Sequence, residues 1–283
     1  MLSSESAKEP LALQICNDNT EKLQVTQQYI SETKRFSIII PAYKEENRIR
    51  PVLNEVVHYL KNNELNWDII LTIDGNDRTE EVVKEFLSKY GNIKILKSPG
   101  RSGKGGSVKR GLGLVDSDYV ILMDADNSIP FSTVIENLKF VDDFDCVIFS
   151  RYNSSMNEIP FIRRVISRGF NRLLRFSLGI NIRDTQTGYK IIKTEPFKQA
   201  MDKVSVTNTF FDVAMLYHLL RKKIKIKEIE VNYKHKEGSK FHPVGEVIGQ
   251  GVSLLAFRLR YSRFYKHIPE KLIQLYYRKF RWI

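Results

Sequence analysis

Cysteine and long apolar runs are both scarce in this chain of 283 residues. Cys16 and Cys146 are too few for a disulfide framework or a thiolate metal site, which favours a reducing compartment such as the cytosol. The longest candidate for a membrane helix, residues 247–257, is interrupted by glycine and polar residues and is shorter than the roughly 18 apolar residues of a membrane span. We therefore expect no transmembrane segment.

Positive charge, by contrast, is abundant. Lysine and arginine number 45 against 33 acidic residues, which gives a formal net charge of +12. Such an excess indicates an anionic partner: nucleic acid, a membrane surface or a phosphorylated substrate. The hydrophobic content of 42% is that of an ordinary globular protein with a sizeable core.

Three regions differ in composition. Residues 1–34 are polar, carry Glu5 and Lys8 where a signal peptide would be apolar, and are expected to form a tail or a loosely docked helix. Residues 35–241 contain the regular pattern of one folded domain. Residues 242–283 combine basic and aromatic side chains on predicted helices. That combination suits an anionic membrane interface, and equally a helix pair packed on the domain or a dimer contact.

Buried strands and amphipathic helices alternate through the first half of the domain. Strands are predicted at residues 36–41, 67–73 and 93–96, with helices between them, and Glu45 and Glu46 are expected in the first turn of the first helix. This order predicts an α/β fold with a doubly wound, mostly parallel sheet and helices on both faces. Ligands of such sheets bind beyond the carboxyl ends of the strands.

Acidic residues follow two of the predicted strands. The apolar run from Tyr119 to Met123 stops at Asp124 and Asp126, and the strand before Gly75 ends in Asp74. Paired carboxylates suit Mg²⁺ or Mn²⁺ held together with substrate phosphates, and Asp74 suits an N–H group of a nucleobase. Each acid is also compatible with a polar turn that closes a strand.

A glycine-rich basic segment, residues 98–107, lies one predicted helix before the acidic strand. Its backbone amides, Arg101 and Lys104 could bind a diphosphate, with a flexible basic surface loop as the alternative. The spacing of Gly100, Gly103 and Gly105 fits neither a P-loop nor a dinucleotide fingerprint. The following helix is predicted to begin at Val108.

Together these motifs resemble a family-2 glycosyltransferase of the GT-A fold. The resemblance covers residues 35–241 in matching order and includes residues 36–43, 74–75, 103–106 and 124–126. The later motifs at residues 184–190, 211–213 and 237–240 are similar to the dolichyl-phosphate β-glucosyltransferase branch, with polyprenyl-phosphate mannosyltransferases next. Two departures are Ile73, where many relatives have a second acid, and the lack of an expected N-terminal anchor.

The resemblance implies roles for individual residues. Catalytic roles fall to Asp126, Asp212, Gln186 and Lys104, and the metal ligands are Asp126 and Asp124. The nucleotide-sugar pocket comprises Pro41, Tyr43, Glu45, Asp74, Lys104, Asp124, Ala125, Asp126 and Arg151. Acceptor contacts are assigned to the motif residues Asp184, Gln186 and Lys240. Arg163 and Arg164 are added because they lie on a predicted basic helix that could contact the acceptor phosphate. For Arg163 and Arg164 a solvated helix face is the alternative, and for Asp212 it is an N-cap of the helix from Val213.

The expected activity is metal-dependent, inverting transfer of a hexose from a nucleotide-sugar, UDP-glucose first, to a polyprenyl or dolichyl phosphate. The enzyme would act as a peripheral protein on the cytosolic face of a membrane. Alternatives are a GDP-mannose donor, or a hydroxyl acceptor with Asp212 as general base. A nucleic-acid-binding protein would also explain the positive charge, but acids at the strand ends and the lack of a recognition motif argue against nucleic acid as a partner. The oligomeric state stays open.

Overall fold

The computed structural model of the chain describes residues 34–151, 161–233 and 243–261, without the side chains of residues 161–168 and 243–248. The strands are β1 (Phe36–Tyr43), β2 (Asp68–Asp74), β3 (Ile93–Ser98), β4 (Tyr119–Leu122), β5 (Cys146–Ser150), β6 (Lys190–Lys193) and β7 (Ile226–Glu230). The helices are α1 (Ile49–Asn62), α2 (Thr79–Lys84), α3 (Gly103–Leu112), α4 (Phe131–Glu136), α5 (Phe161–Leu178), α6 (Thr194–Lys203), α7 (Phe211–Arg221) and α8 (Pro243–Arg260).

These strands form a 7-stranded sheet in the order β3-β2-β1-β4-β6-β5-β7. All neighbouring strands are parallel except β6, which runs antiparallel to β4 and β5. The predicted α/β fold with a mostly parallel sheet is therefore confirmed. Because β6 is reversed, the segment that precedes it arrives at the edge where β1, β2 and β4 end.

Apolar side chains alternate between the two faces of β1. Ile38 and Ile40 belong to a buried cluster with residues of α1 and α4, and Ile39 belongs to a second cluster with residues of α3 and α7. Each face of the sheet is thus covered by helices, which explains why the strands read as continuous apolar runs rather than alternating ones. The sheet is doubly wound, as predicted.

The prediction that Pro41 stops the first strand is wrong. β1 continues to Tyr43, and Pro41 lies opposite Thr72 of β2. The carbonyl of Ile39 accepts a hydrogen bond from Met123, so the β4 side is the one that Pro41, two residues later, also faces. Since pairing with β4 ends at Leu122, the missing N–H of the proline leaves no gap in the ladder.

Several helices differ from the prediction, α1, α3 and α6 among them. α1 begins at Ile49 and has no acidic residue in its first turn, because Glu45 lies in the preceding turn and pairs with Arg48. α3 begins at Gly103 instead of Val108, which puts Lys104 on its first turn. α6 was not predicted at all.

The described part of the C-terminal region packs on the domain. α8 contacts α5, and its Leu254 and Phe257 are buried in the cluster that includes α7. No helix in the described ranges is both long and apolar enough to cross a bilayer. The tail, residues 1–33, and the aromatic segment 262–283 lie outside those ranges, so the proposed domain limits and the membrane contact stay predictions.

α3 and the segment before α7 approach each other at backbone distance. The N–H of Gly105 donates to the carbonyl of Thr207 at 2.9 Å, and a Cβ on Gly105 would lie 2.5 Å from the Cβ of Phe211. The amide of Gly105, which the sequence offered as a diphosphate ligand, is therefore used by the fold. Glycine is needed here for close packing.

Replacing Gly105 with alanine should therefore lower the free energy of unfolding by about 1–3 kcal/mol, since the added methyl group meets buried atoms that cannot move away. Urea denaturation measures the effect. Gly169→Ala is the matched control, because Gly169 also lies inside a helix but a Cβ added there would have no neighbouring atom within 4 Å. That variant should be neutral or up to about 1 kcal/mol more stable. Equal effects of the two substitutions would contradict the close contact.

Candidate functional site

A cleft of about 270 Å³ opens at the carboxyl ends of β1, β2 and β4. It also receives the first turn of α3 and the segment before α7. Most residues predicted for the nucleotide-sugar pocket line this cleft, namely Pro41, Tyr43, Glu45, Asp74, Lys104, Asp124, Ala125 and Asp126. Arg151 is not among the lining residues.

Asp124 and Lys104 form an ion pair inside the cleft. The Nζ of Lys104 lies 2.7 Å from Oδ1 of Asp124. Burial opposes ionisation of both groups, but each favours the charged form of the other, so the pKa of Lys104 is raised and the pKa of Asp124 is lowered. Both groups are charged at neutral pH. Each can therefore exchange its partner for a charged group of a ligand that enters the cleft.

The segment just before the reversed strand β6 packs against Asp124. Leu122 of β4 pairs with Lys190 of β6, and continuing this antiparallel register by two residues sets Gly188 opposite Asp124. A Cβ on Gly188 would overlap the carboxylate of Asp124. The glycine of the 184–190 motif is thus required by the position of an acidic side chain rather than by a turn.

Asp126 has a sparse set of contacts. Its Oδ1 accepts a hydrogen bond from the backbone N–H of Ser128 at 3.1 Å, and no salt bridge to it occurs among the described residues. The described residues hold no cluster of three or more potential metal-ligating side chains. Two carboxylates with room beside them still fit Mg²⁺ or Mn²⁺, because such ions are commonly held by one or two protein carboxylates plus substrate phosphates.

Asp74 is tied to α3. Its carboxylate accepts hydrogen bonds from the backbone N–H of Ser102 at 2.7 Å and from the Ser102 hydroxyl, and it pairs with Arg110 at 2.7 Å. The side chain is almost fully buried although it borders the cleft. These contacts fix the start of α3 against the end of β2. A role in contacting a base remains a prediction for Asp74.

An aromatic ring and a guanidinium group flank the outer part of the cleft. The guanidinium of Arg101 lies over the ring of Tyr43, with its carbon 4.8 Å from the ring centroid. Glu45 is held by two hydrogen bonds from Arg48, of 2.7 and 2.6 Å. Stacked and charged groups of this kind suit a planar base and its sugar.

Asp212 is engaged with a lysine that sequence reasoning gave no role. The Nζ of Lys190 lies 2.6 Å from Oδ1 of Asp212, and both side chains are almost completely buried. Asp212 lies in the first turn of α7, which starts at Phe211, so the alternative interpretation as an N-cap is wrong. Asp212 does not line the cleft as the described residues define it.

Arg151 and Asp184 pair with each other beside the cleft. Nε and Nη2 of Arg151 lie 2.8 and 2.9 Å from the two carboxylate oxygens, and the Arg151 backbone N–H donates to the same carboxylate. Burial would raise the pKa of Asp184, but the guanidinium outweighs it and the pKa is lowered. Arg151 and Asp184 thus bind each other within the protein. Their contacts with substrates stay predictions.

The remaining predicted acceptor residues are less well located. Gln186 is partly buried and does not line the cleft as described. The side chains of Arg163 and Arg164 and the whole of Lys240 lie outside the described residues.

Some lining residues were missed by sequence reasoning. Asn208 and Thr209 border the cleft, and Oδ1 of Asn208 accepts a hydrogen bond from the N–H of Phe210. An asparagine shortly before an apolar helical run is a recognised start signal, which could have identified it. No comparable sequence signal marks Arg48.

The buried pair of Lys190 and Asp212 predicts a stability effect. Lys190→Met should cost about 3–5 kcal/mol of unfolding free energy, because it leaves a buried carboxylate without its counter-ion. The double variant Lys190→Met/Asp212→Leu should recover most of the loss. As a control, Lys193→Met should cost about 1 kcal/mol or less, since Lys193 is half exposed and 3.9 Å from Asp145. A double variant no more stable than Lys190→Met would contradict the pairing.

The Arg151 and Asp184 pair predicts a pH effect. A carboxyl group whose pKa is lower in the folded state stabilises the fold above its unfolded pKa of about 4, and this contribution is lost as the pH falls through the folded pKa. Asp184→Asn should therefore flatten the loss of stability in acid, measured by urea denaturation between about pH 6 and pH 3. Asp116→Asn, at a carboxylate that is 96% exposed, should keep the wild-type slope.

The chain is similar in sequence to known dolichyl-phosphate beta-glucosyltransferases. The chain is 30% identical to a human dolichyl-phosphate beta-glucosyltransferase over 82% of this chain and 77% of the relative. It is 32% identical to a dolichyl-phosphate beta-glucosyltransferase of Trichomonas vaginalis over 80% of this chain and 73% of the relative.

A solved structure shares the fold. Glucosyl-3-phosphoglycerate synthase from Mycobacterium tuberculosis, in complex with Mn²⁺, UDP-glucose and phosphoglyceric acid, superposes with a TM-score of 0.57. The match covers 84% of this chain and 82% of that chain at 18% identity, and it supports the α/β GT-A architecture.

Residues 37–200 match the sequence profile described as glycosyl transferase family 2, which is more than half of the chain. With the relatives above, this match confirms the predicted resemblance: the chain is an enzyme that belongs to glycosyl transferase family 2, in the dolichyl-phosphate β-glucosyltransferase branch.

Proposed function

We propose that the protein transfers glucose from UDP-glucose to a dolichyl or other polyprenyl phosphate, with inversion at the anomeric carbon and with Mg²⁺ or Mn²⁺. The observation that carries the proposal is the cleft at the sheet edge, where Asp124, Asp126 and Lys104 meet. The names of its relatives supply the sugar and the lipid.

Asp126 is the proposed main metal ligand, with Asp124 beside it. Asp126 has no ion-pair partner in the described part of the chain, whereas Asp124 is held by Lys104. When bound, a divalent ion supplies Lewis-acid stabilisation of the departing nucleoside diphosphate. Together the two carboxylates would hold the ion where the phosphates enter the cleft.

Lys104 is the proposed diphosphate ligand. Its ammonium group is charged and sits on the first turn of α3, so a modest rotation about its side-chain bonds can exchange Asp124 for a phosphate oxygen. Negative charge accumulates on the leaving diphosphate during transfer, and a fixed cation beside it lowers the barrier. Tyr43 and Arg101 are the groups proposed to flank the base and ribose.

A phosphate acceptor agrees with the state of Asp212. A general base must reach the proton that it removes, yet Asp212 is buried and bonded to Lys190. A lipid phosphate is already an anionic nucleophile and needs no base. We therefore assign Asp212 and Lys190 to positioning, which favours the lipid phosphate over a hydroxyl acceptor.

A membrane location follows from the lipid acceptor. Large apolar side chains are exposed on α5 and α8, with Phe176 92% and Leu255 66% exposed. Arg172, Arg175 and Arg258 lie on the same helices and are exposed. Apolar and basic groups side by side suit the surface of an anionic bilayer, and we propose peripheral association with the cytosolic face.

The test is transfer from UDP-glucose to dolichyl phosphate with Mn²⁺, read as glucosylated lipid by mass spectrometry. Asp126→Asn should reduce kcat/KM at least about 100-fold and abolish the Mn²⁺-dependent gain in UDP affinity, because the metal loses its carboxylate. Asp116→Asn removes the same charge at an exposed site and should leave both quantities unchanged.

Parallel reactions decide the finer assignments. GDP-mannose replaces UDP-glucose in one, and a soluble hydroxyl acceptor replaces the lipid in another. Transfer from GDP-mannose alone would overturn the donor, and transfer to the hydroxyl acceptor alone would overturn the acceptor. Full activity of Asp126→Asn would overturn the metal site.

A further inference from the structure

A second cavity, of about 680 Å³, lies where the C-terminal ends of three helices converge. It is lined by Lys203 at the end of α6, Arg221 and Lys222 at the end of α7, and Arg260 at the end of α8. None of the described residues that line it is acidic. We propose that this cavity, here called the basic cavity, binds a ligand that carries phosphate groups.

Three of these cations donate hydrogen bonds to neutral groups. Arg221 donates to the hydroxyl of Tyr217 at 3.2 Å, Lys222 donates to the side-chain oxygen of Gln199, and Arg260 donates to the hydroxyl of Ser205. Cations at helix C-termini are favoured by the helix dipole, which accounts for each one singly. It does not account for their convergence on one cavity, where a bound anion would be attracted by all of them.

The pKa of His218, which lines the basic cavity, responds to these positive charges. The ring of His218 is buried, and its Nε2 lies 2.9 Å from the hydroxyl of Tyr261. Burial and the charges of Lys203, Arg221 and Arg260 lower the pKa of His218 to about 4. The imidazole is therefore neutral at physiological pH, and a bound anion would raise its pKa again.

The basic cavity is separate from the proposed donor cleft. The two share no lining residue in the described chain. Asp212 lies in the first turn of α7 and Arg221 ends the same helix, about 14 Å away at 1.5 Å per residue. The proposal does not depend on the reaction assigned to the cleft.

The geometry points to a ligand with several negative charges in a small volume. Guanidinium groups bind phosphate oxygens in pairs, and lysines add point charges. Such phosphates come either from the headgroup of an anionic lipid or from a soluble phosphate compound. Leu255 and Leu259 are exposed on the same helix as Arg260, so a lipid source must be tested directly.

The experiment uses the full chain and inorganic tripolyphosphate, with the dissociation constant measured by calorimetry near physiological salt. The variant Arg221→Gln/Arg260→Gln should bind at least about tenfold more weakly, since it loses two charge-assisted contacts. The matched control Lys223→Gln/Lys225→Gln removes two exposed charges that follow α7 but do not line the basic cavity, and it should bind like the wild type. Thermal melting verifies that both double variants are folded. The dissociation constant of the single variant Arg221→Gln is measured as well, because Arg221 is exposed and its replacement should not affect folding.

Vesicles distinguish the two sources. Wild-type protein is mixed with phosphatidylcholine vesicles with and without about one-fifth phosphatidic acid. Binding to the acidic vesicles that tripolyphosphate displaces and the double variant loses would identify a lipid headgroup. Tripolyphosphate binding without that vesicle preference would identify a soluble phosphate. No tripolyphosphate binding by the wild type, or equal binding by both double variants, would overturn the proposal.

Discussion

The ion pair of Lys190 and Asp212 joins the sheet to α7, the helix that follows the cleft residues Asn208 and Thr209. Lys190 lies in β6 between two other strands, and Asp212 lies on the first turn of α7. A buried charge without a partner is unstable, so neither group can move independently of the other. The pair thereby fixes α7 and, through the contact of Phe211 with Gly105, the start of α3 that carries Lys104.

Apart from Asp126, most charged groups at this edge of the sheet are paired before any ligand arrives. Lys104 with Asp124 and Arg151 with Asp184 repeat the pattern of Lys190 with Asp212. The pairs differ in accessibility: the first faces the cleft, whereas the others are committed to the fold. A nucleotide diphosphate and a cation would therefore engage the accessible pair and Asp126, while the two buried pairs stay intact.

The first four strands along the chain could be predicted from the sequence, because each is a local apolar run. The position of the acids could be predicted too, because two of these runs lead directly into aspartates. The start of α3 could not, since glycines are poor helix formers and the apolar pattern begins only at Val108. β6 has four residues and its direction depends on distant partners. The ion pair of Lys190 with Asp212 could not be predicted either, because it depends on how β6 and α7 pack in the folded chain.

The reversal of β6 has a consequence for how the protein is assembled. β4 and β6 are neighbours in the sheet but distant in the chain. The segment that packs against Asp124, after β4, is therefore in place only when β6 has paired with β4 and β5. Contacts between segments this far apart in the chain slow folding, because a long loop must close before they form. A nascent chain that ends before Lys190 therefore contains Asp124 and Asp126 but lacks the strand that pairs with β4 beside them.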